Sequence, residues 1–310
     1  MSAASASVEV EVEGRQLKLS NFEKVLYPEA GFTKGQVIDY YTRVAPALLP
    51  HLRRRALTLK RYPNGVDKQF FYEKNCPKHR PDWIETLSVW SARNKADVNY
   101  CLIDELAGLV WVANLASLEL HTSLSHAEDI QRPTMLVFDL DPGPPATIVE
   151  CGRVALWLRD VLDDLGLQAF PKTSGSKGLQ IYAPLNTSVT YNETKPFAHA
   201  MAKLLEQQHP DDVLSVMTKD LRKGKVFIDW SQNDDSKTTV CVYSLRARPR
   251  PTVSTPVTWE EVEAVVDSGD PDDLVFEASD VLERIAKGGD LFAPVAELEQ
   301  SLPAPPAIPS

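Results

Sequence analysis

Three aspartates have the spacing and the company to do chemistry. Residues 134–141 (TMLVFDLD) form an apolar strand that stops at Pro142-Gly143. Side chains alternate along a strand, so Asp139 and Asp141 leave one face while Phe138 and Leu140 leave the other. Neighbouring carboxylates on an apolar strand repel each other and are costly to desolvate unless a cation neutralises them. Hard oxygen ligands of this kind suit Mg²⁺ or Mn²⁺. A second apolar strand, KVFIDW over 225–230, carries Asp229. Three carboxylates can bridge two ions, one activating an attacking hydroxyl and one holding a triphosphate and its leaving pyrophosphate. Taken alone, an apolar stretch ending in DxD is also an ordinary capped strand end; the third aspartate on a separate strand favours the metal reading.

Between the acidic strands lies KTSGSKG over 172–178. Its small residues let backbone N–H groups approach an anion, and Lys177 adds a point charge for a triphosphate. The GxxxxGK[ST] spacing of a Walker A loop is absent. A serine-rich turn before a strand is the plainer reading, and the flanking acidic strands argue against it.

The formal charge of −10 opposes polyanion binding, but it is unevenly spread. Residues 260–299 hold 13 acidic side chains against Arg284 and Lys287, a net of −11, which leaves the rest of the chain near +1. That remainder contains three basic clusters: Arg53 to Arg55 running on to Lys60-Arg61, then Lys219, Arg222, Lys223 and Lys225, and finally Arg246, Arg248 and Arg250. Such clusters can supply phosphate contacts, although a lone cluster is more often a solvated surface.

To position these residues the chain needs a mixed α/β (α+β) architecture. Thr33 can cap a helix through about 52, with Val37, Ile38, Tyr41, Val44, Ala45 and Leu48 at helical spacing. Strands are expected near 56–61, 68–73 and 98–103. Asp104 is expected to cap a helix to about 117, followed by extended chain from 118 to 124. A helix over 147–165 ends where Gly166 can cap it. Strands near 168–172 and 179–184, a helix over 194–208, strands at 225–230 and 238–243, and a helix at 258–267 complete the reading. Pro142–Pro145 is either a boundary or a turn. Residues 1–8 and the proline-rich 301–310 are expected to be flexible termini around a single catalytic unit at 9–300. No apolar run approaches a membrane span, and the N-terminus lacks a secretion signal, so a cytoplasmic, nucleoid-associated protein with no membrane partner is expected. The scattered Cys76, Cys101, Cys151 and Cys241 suggest buried, reduced thiols.

Several stretches in order resemble the polymerase (primase-polymerase) domain of bacterial DNA ligase D, a branch of the archaeo-eukaryotic primase superfamily. They include EKVLYP (23–28), KRYPNGVD (60–67), FYEK (71–74), LELH (118–121), VFDLDPG (137–143), TSGSKG (173–178), VFIDWSQ (226–232) and YSLRAR (243–248). The resemblance implies mixed sheets flanked by helices around a central cleft. It also implies an enzyme that extends primers or fills short gaps in repair, using two Mn²⁺ or Mg²⁺ ions and preferring ribonucleotides. Asp139, Asp141 and Asp229 match the metal ligands; Ser174, Ser176 and Lys177 match the phosphate loop. Lys60, His121, Gln232, Ser236, Lys237, Arg246 and Arg248 fall where the family lines its nucleotide site. Lys24 and Lys34 match contacts to a 5′-phosphate, and Phe71 and Tyr72 the aromatic pair for base stacking. The implied partners are gapped, nicked or end DNA and nucleoside triphosphates. Because no ligase domain follows, a stand-alone relative is expected, with a separate DNA ligase and a Ku-type end-binding protein as candidate partners.

One departure stands out: Gln180 occupies the place of a family histidine, and an amide carries no charge. It motivates an alternative, a DNA-end or gap-binding accessory module without turnover. FDLDPG also resembles haloacid-dehalogenase phosphatases, but Pro142-Gly143 replaces the Thr or Val expected beyond their second aspartate.

Overall fold

The computed structural model describes residues 7–91 and 95–305. Two small hairpins lead the chain, β1 (Ser7–Val12) with β2 (Arg15–Ser20) and β3 (Val25–Tyr27) with β4 (Phe32–Thr33). Ser7 and Val8, expected in a loose terminus, already belong to β1. Helix α1 (Lys34–Leu52) starts at Thr33, whose side chain and that of Gln36 satisfy each other's backbone amides in a capping box. Its apolar stripe is buried against α2 (Leu106–Asn114) and the first sheet.

That sheet contains β5 (Leu57–Arg61), β6 (Phe71–Glu73), β7 (Thr86–Ser91), β8 (Ala96–Cys101) and β9 (Ser117–Thr122). The second sheet runs β11 (Phe170–Thr173), β12 (Leu179–Pro184), β10 (Met135–Pro142), β14 (Val226–Asp229), β13 (Val213–Leu214), antiparallel except for the last pair. Helices α3 (Ile148–Asp164), α4 (Tyr191–Gln208) and α5 (Trp259–Ser268) cover it. β15 (Thr239–Val240) then returns to the first sheet beside β9, and α6 (Ala278–Gly288) and α7 (Ala293–Glu297) send Val281 and Val295 into the first core. Pro142–Pro145 is therefore a turn in a chain that contributes to both sheets from its later half.

Alternation on β10 does what the sequence requires: Leu136, Phe138 and Leu140 are fully buried in the second core, leaving the odd-numbered aspartates on the opposite face.

The structure corrects further expectations. The α2 cap is Glu105, with no side-chain hydrogen bond, because the Asp104 carboxylate instead accepts from the backbone N–H and guanidinium of Arg54. Cys76 and Cys101 are joined in a disulfide, while Cys151 and Cys241 are buried thiols. The 25-residue separation hid the pairing, since the β7–β8 hairpin folds between the two cysteines and the Cys76 amide donates to the Asn99 carbonyl on β8, which sets Cys76 beside Cys101. At the other end, Leu302, expected in a flexible tail, packs against the second core.

Candidate active site

A row of polar side chains crosses the second sheet. Asp139 on β10 is paired with Asp229 on β14 and with Gln180 on β12, which is paired in turn with Lys172 on β11. Directly paired residues project to the same face, so Lys172, Gln180, Asp139 and Asp229 line up across four strands. Asp141 follows two residues along on that face.

The carboxylates are poorly compensated. Burial, then the charge of Asp141 and that of Asp229, push the Asp139 carboxyl up to about 7, although a hydrogen bond from Gln180 and the charge of Lys172 oppose this. Asp141 is raised by burial and by Asp229, against Arg222, Arg246 and Lys177. Arg222 lies 3.8 Å from Asp141 and stacks 3.9 Å over Phe227. Asp229 is held by its own turn: Oδ1 accepts from the Ser231 amide at 3.0 Å and hydroxyl at 2.6 Å, and Oδ2 from Gln232 Nε2 at 2.8 Å. Among the described residues, no group of three or more Asp, Glu, His or Cys side chains is placed to hold a metal ion. Asp229 would thus have to exchange these donors for a cation.

Facing Asp139 and Asp141 is a cavity of about 300 Å³ whose walls come from both sheets. His121 and Tyr72 enter it from the first sheet; Ser174, Ser176, Lys177, Gln232 and Arg246 also line it. The 172–178 loop is wedged onto β10: a Cβ on Gly178 would stand 2.0 Å from the Leu140 carbonyl oxygen. Gly175 adopts φ +65°, and a Cβ there would press on the Val253 backbone at 2.6 Å. Side chains at either position would lift the loop off the carboxylate strand. The Ser174 hydroxyl accepts from the amides of Ser176 and Gly178, so those N–H groups serve the loop itself. The exposed Ser176 and Lys177 are the groups turned toward the cavity. A larger, mainly apolar cavity of about 420 Å³ lies behind the same loop, without the paired aspartates that mark the first.

Other expected site residues fall outside this cavity. Lys60 is bonded to Glu119, and its ammonium lies 4.7 Å over the ring of Phe70. Ser236 bonds to Asp234 in an exposed turn with Lys237 next to it, and Arg248 is exposed. Phe71 and Tyr72 take opposite faces of β6; only Tyr72 reaches the cavity, edge-on to His121 at 5.9 Å. Lys34 donates to the Ser20 carbonyl at 2.6 Å, and burial plus the neighbouring Lys24 lower its amine to about 8. Lys24 itself bonds Asn64 at 3.0 Å. The two lysines thus share one spot, as an anion site would require.

Within the first basic cluster, Arg54 and Arg55 are already engaged by the protein itself. Arg54 is engaged by Glu85, Asp104 and Glu128, and buried Arg55 donates to the Leu124 carbonyl and the Thr134 hydroxyl.

Sequence reasoning overlooked Lys172 and Glu119. Lys172 is fully buried and donates to Gln180 Oε1 at 2.5 Å and Ser254 Oγ at 2.6 Å; burial lowers its amine to about 7. It fixes the Gln180 amide, and so the donor that Gln180 presents to Asp139. Glu119 was visible in the LELH alternation, which puts it on the face of His121.

A family model described as "LigD, primase-polymerase domain" matches residues 33–292. The chain belongs to this family. It is 42% identical over 282 residues to the multifunctional non-homologous end joining protein LigD of Mycolicibacterium smegmatis, covering 90% of this chain and 36% of that protein. With the bifunctional LigD of Bacillus subtilis it shares 30% identity over 89% of this chain and 44% of the relative. The chain thus spans less than half the length of these relatives. Among solved structures, the polymerase domain of Mycobacterium tuberculosis ligase D in complex with DNA superposes with a TM-score of 0.84 and 42% identity, over 92% of this chain and 99% of that one. Membership makes this LigD-type primase-polymerase chain a nucleotidyltransferase, and the expected fold class stands. Among the described residues no helix is long and apolar enough to cross a membrane.

Proposed function

We propose that the chain is a template-directed nucleotidyltransferase that extends primers and fills short gaps during DNA end repair, preferring ribonucleotides. The observation that carries this reading is the pair Asp139 and Asp141, carboxylates short of compensating charge that face the Ser174–Lys177 loop across one cavity, with Asp229 paired to Asp139 on the neighbouring strand. The donor set fits hard divalent cations: three carboxylates, two of them destabilised as anions by one another and by burial. Asp139, Asp141 and Asp229 would hold two Mn²⁺ or Mg²⁺ ions. Bound there, such ions supply activation of a primer 3′ hydroxyl and neutralisation of a leaving pyrophosphate.

The protein's own groups do the rest. Lys177, Ser176 and Arg246 bind and orient the triphosphate, assisted by His121, Gln232 and Lys60, while Ser236, Lys237 and Arg248 extend the site toward the primer. Tyr72 supplies an aromatic face for a terminal base, with Phe71 contacting the template side. Lys24 and Lys34 take the 5′-phosphate across a gap. The DNA-bound relative supports a DNA substrate. A cytoplasmic, nucleoid-associated setting and partnership with a DNA ligase activity and a Ku-type protein complete the proposal.

The test is incubation with a gapped duplex, Mn²⁺ and ribo- or deoxyribonucleoside triphosphates, with and without a downstream 5′-phosphate. Template-matched additions, favoured by ribonucleotides and by the phosphate, are expected; no extension in any of these mixtures sinks the proposal. The position of Gln180 favours one second reading, a gap-binding module without turnover. The residue is buried, its carbonyl oxygen engaged by Lys172, so no charged donor stands where the family has histidine. Tight gap binding with no incorporation would select that reading.

A further inference from the structure

Glu119 has no role in the chemistry above, yet its carboxylate joins the parts of the nucleotide site. It is 2% exposed on β9. Oε1 accepts from Lys60 Nζ at 3.0 Å, the Ala247 amide at 3.2 Å and the Tyr62 hydroxyl at 3.4 Å. Oε2 lies 3.0 Å from His121 Nε2 and 3.4 Å from Arg246 Nε, the latter an ion-pair contact without hydrogen-bond alignment. Arg246 carries the connection onward by donating through Nη1 to the Ser174 carbonyl in the phosphate loop.

We propose that Glu119 is the positioning residue of the nucleotide site, fixing His121, Lys60 and Arg246 in the pose that meets an incoming nucleoside triphosphate. The inference rests on the cavity being a nucleotide site. Two cations and an imidazole gathered within a few ångströms would disperse without a central anion, because the repulsion is little screened away from water. Glu119 supplies that anion from a site closed to solvent. Its bond to Nε2 also fixes the tautomer and ring orientation of His121, leaving Nδ1 as the acceptor. Through Arg246 and Ser174, the same carboxylate sets where the phosphate loop stands against Asp139 and Asp141. The hydrogen bond from His121 and the charges of Arg246 and Lys60 outweigh burial and keep Glu119 ionised.

Steady-state extension of a gapped duplex by the full chain, with Mn²⁺ and varied ribonucleoside triphosphate, tests the role in Glu119→Gln and Glu119→Asp. For Glu119→Gln, a rise of about tenfold or more in nucleotide KM is expected, with kcat within about threefold and gapped-DNA affinity by anisotropy unchanged. Glu119→Asp keeps the charge and should recover part of the loss; it also serves as the readable variant if Glu119→Gln does not fold. An unchanged nucleotide KM in the folded variants overturns the proposal. So does a matching loss of DNA affinity or of kcat, which would mark a general scaffold residue. If the wild-type chain fails to extend, the nucleotide-site reading itself fails, a result distinct from either.

Discussion

One acid lines the cavity and another lies behind its opposite wall, under His121 and Arg246, and the protein treats the two in opposite ways. On the first sheet, Glu119 is surrounded by Lys60, His121 and Arg246 and held well below the usual carboxylate range. On the second, Asp139 faces Asp141 and Asp229 and is pushed up to about 7. Both are buried carboxylates close to the same cavity, so residue type alone does not separate the proposed positioning anion from the proposed metal ligand. Compensation does: Glu119 has its cations within the chain, whereas Asp139 and Asp141 are raised by burial and by neighbouring carboxylates, as the proposed cation role would require.

The largest expected effect removes the unsatisfied side. Asp141→Asn should cut extension by roughly 10³-fold, about 4 kcal/mol in the barrier, with gapped-DNA affinity retained in an anisotropy titration. Extension near wild type would erase the distinction between the two walls. Next is truncation of the satisfied side. Glu119→Ala leaves Lys60 and Arg246 without their buried partner and should cost about 3 kcal/mol in denaturant unfolding. Asp139→Asn should instead leave the metal-free protein equal or more stable, because it relieves repulsion; a loss like that of Glu119→Ala would contradict the comparison.

The pH dependence sharpens the contrast, since the two acids have opposite signs. Asp139 retains a proton in the folded state that the unfolded chain has lost above ~4. Its stability contribution is therefore full below ~4 and is lost as pH rises to about 7. Glu119 contributes above ~4 and loses its contribution as pH falls below that value. In metal-free buffer, the unfolding free energy of Asp139→Asn minus that of wild type should grow between about pH 4 and 7; a flat difference would count against the assigned repulsion. The smallest effect lies outside both walls. Lys24→Ala should weaken binding to a gap with a 5′-phosphate by roughly fivefold, about 1 kcal/mol, and leave a gap without that phosphate unaffected.

Much of this contrast was legible from local rules. Thr33 caps its helix as expected, and Thr147 and Thr258, at the starts of two further expected helices, form the same capping box, a signal that needs only four consecutive residues. The parity of VFDLD placed Asp139 and Asp141 opposite the core without any tertiary information. What escaped depended on distant partners. β7 alternates between exposed and half-buried residues at a sheet edge, so its sequence lacks the apolar contrast of a core strand. α6 buries only Ala278 and Val281 and sits in the acidic stretch that read as undifferentiated. Asp104 has the chemistry of a cap but was claimed by Arg54, fifty residues earlier. Lys172 read as the start of a phosphate loop, and only the pairing of β11 with β12 reveals it as a buried support for Gln180.

Under the proposed function, the aspartate row on the second sheet takes up divalent cations that offset the charge the chain leaves unmatched. Titrating Mn²⁺ into the protein while following the free-ion electron paramagnetic resonance signal tests it directly, in wild type, Asp139→Asn and Glu119→Gln. Wild type and Glu119→Gln should deplete the free-ion signal, and Asp139→Asn should lose most of that uptake. Equal uptake by wild type and Asp139→Asn, or loss of uptake only in Glu119→Gln, would contradict the account.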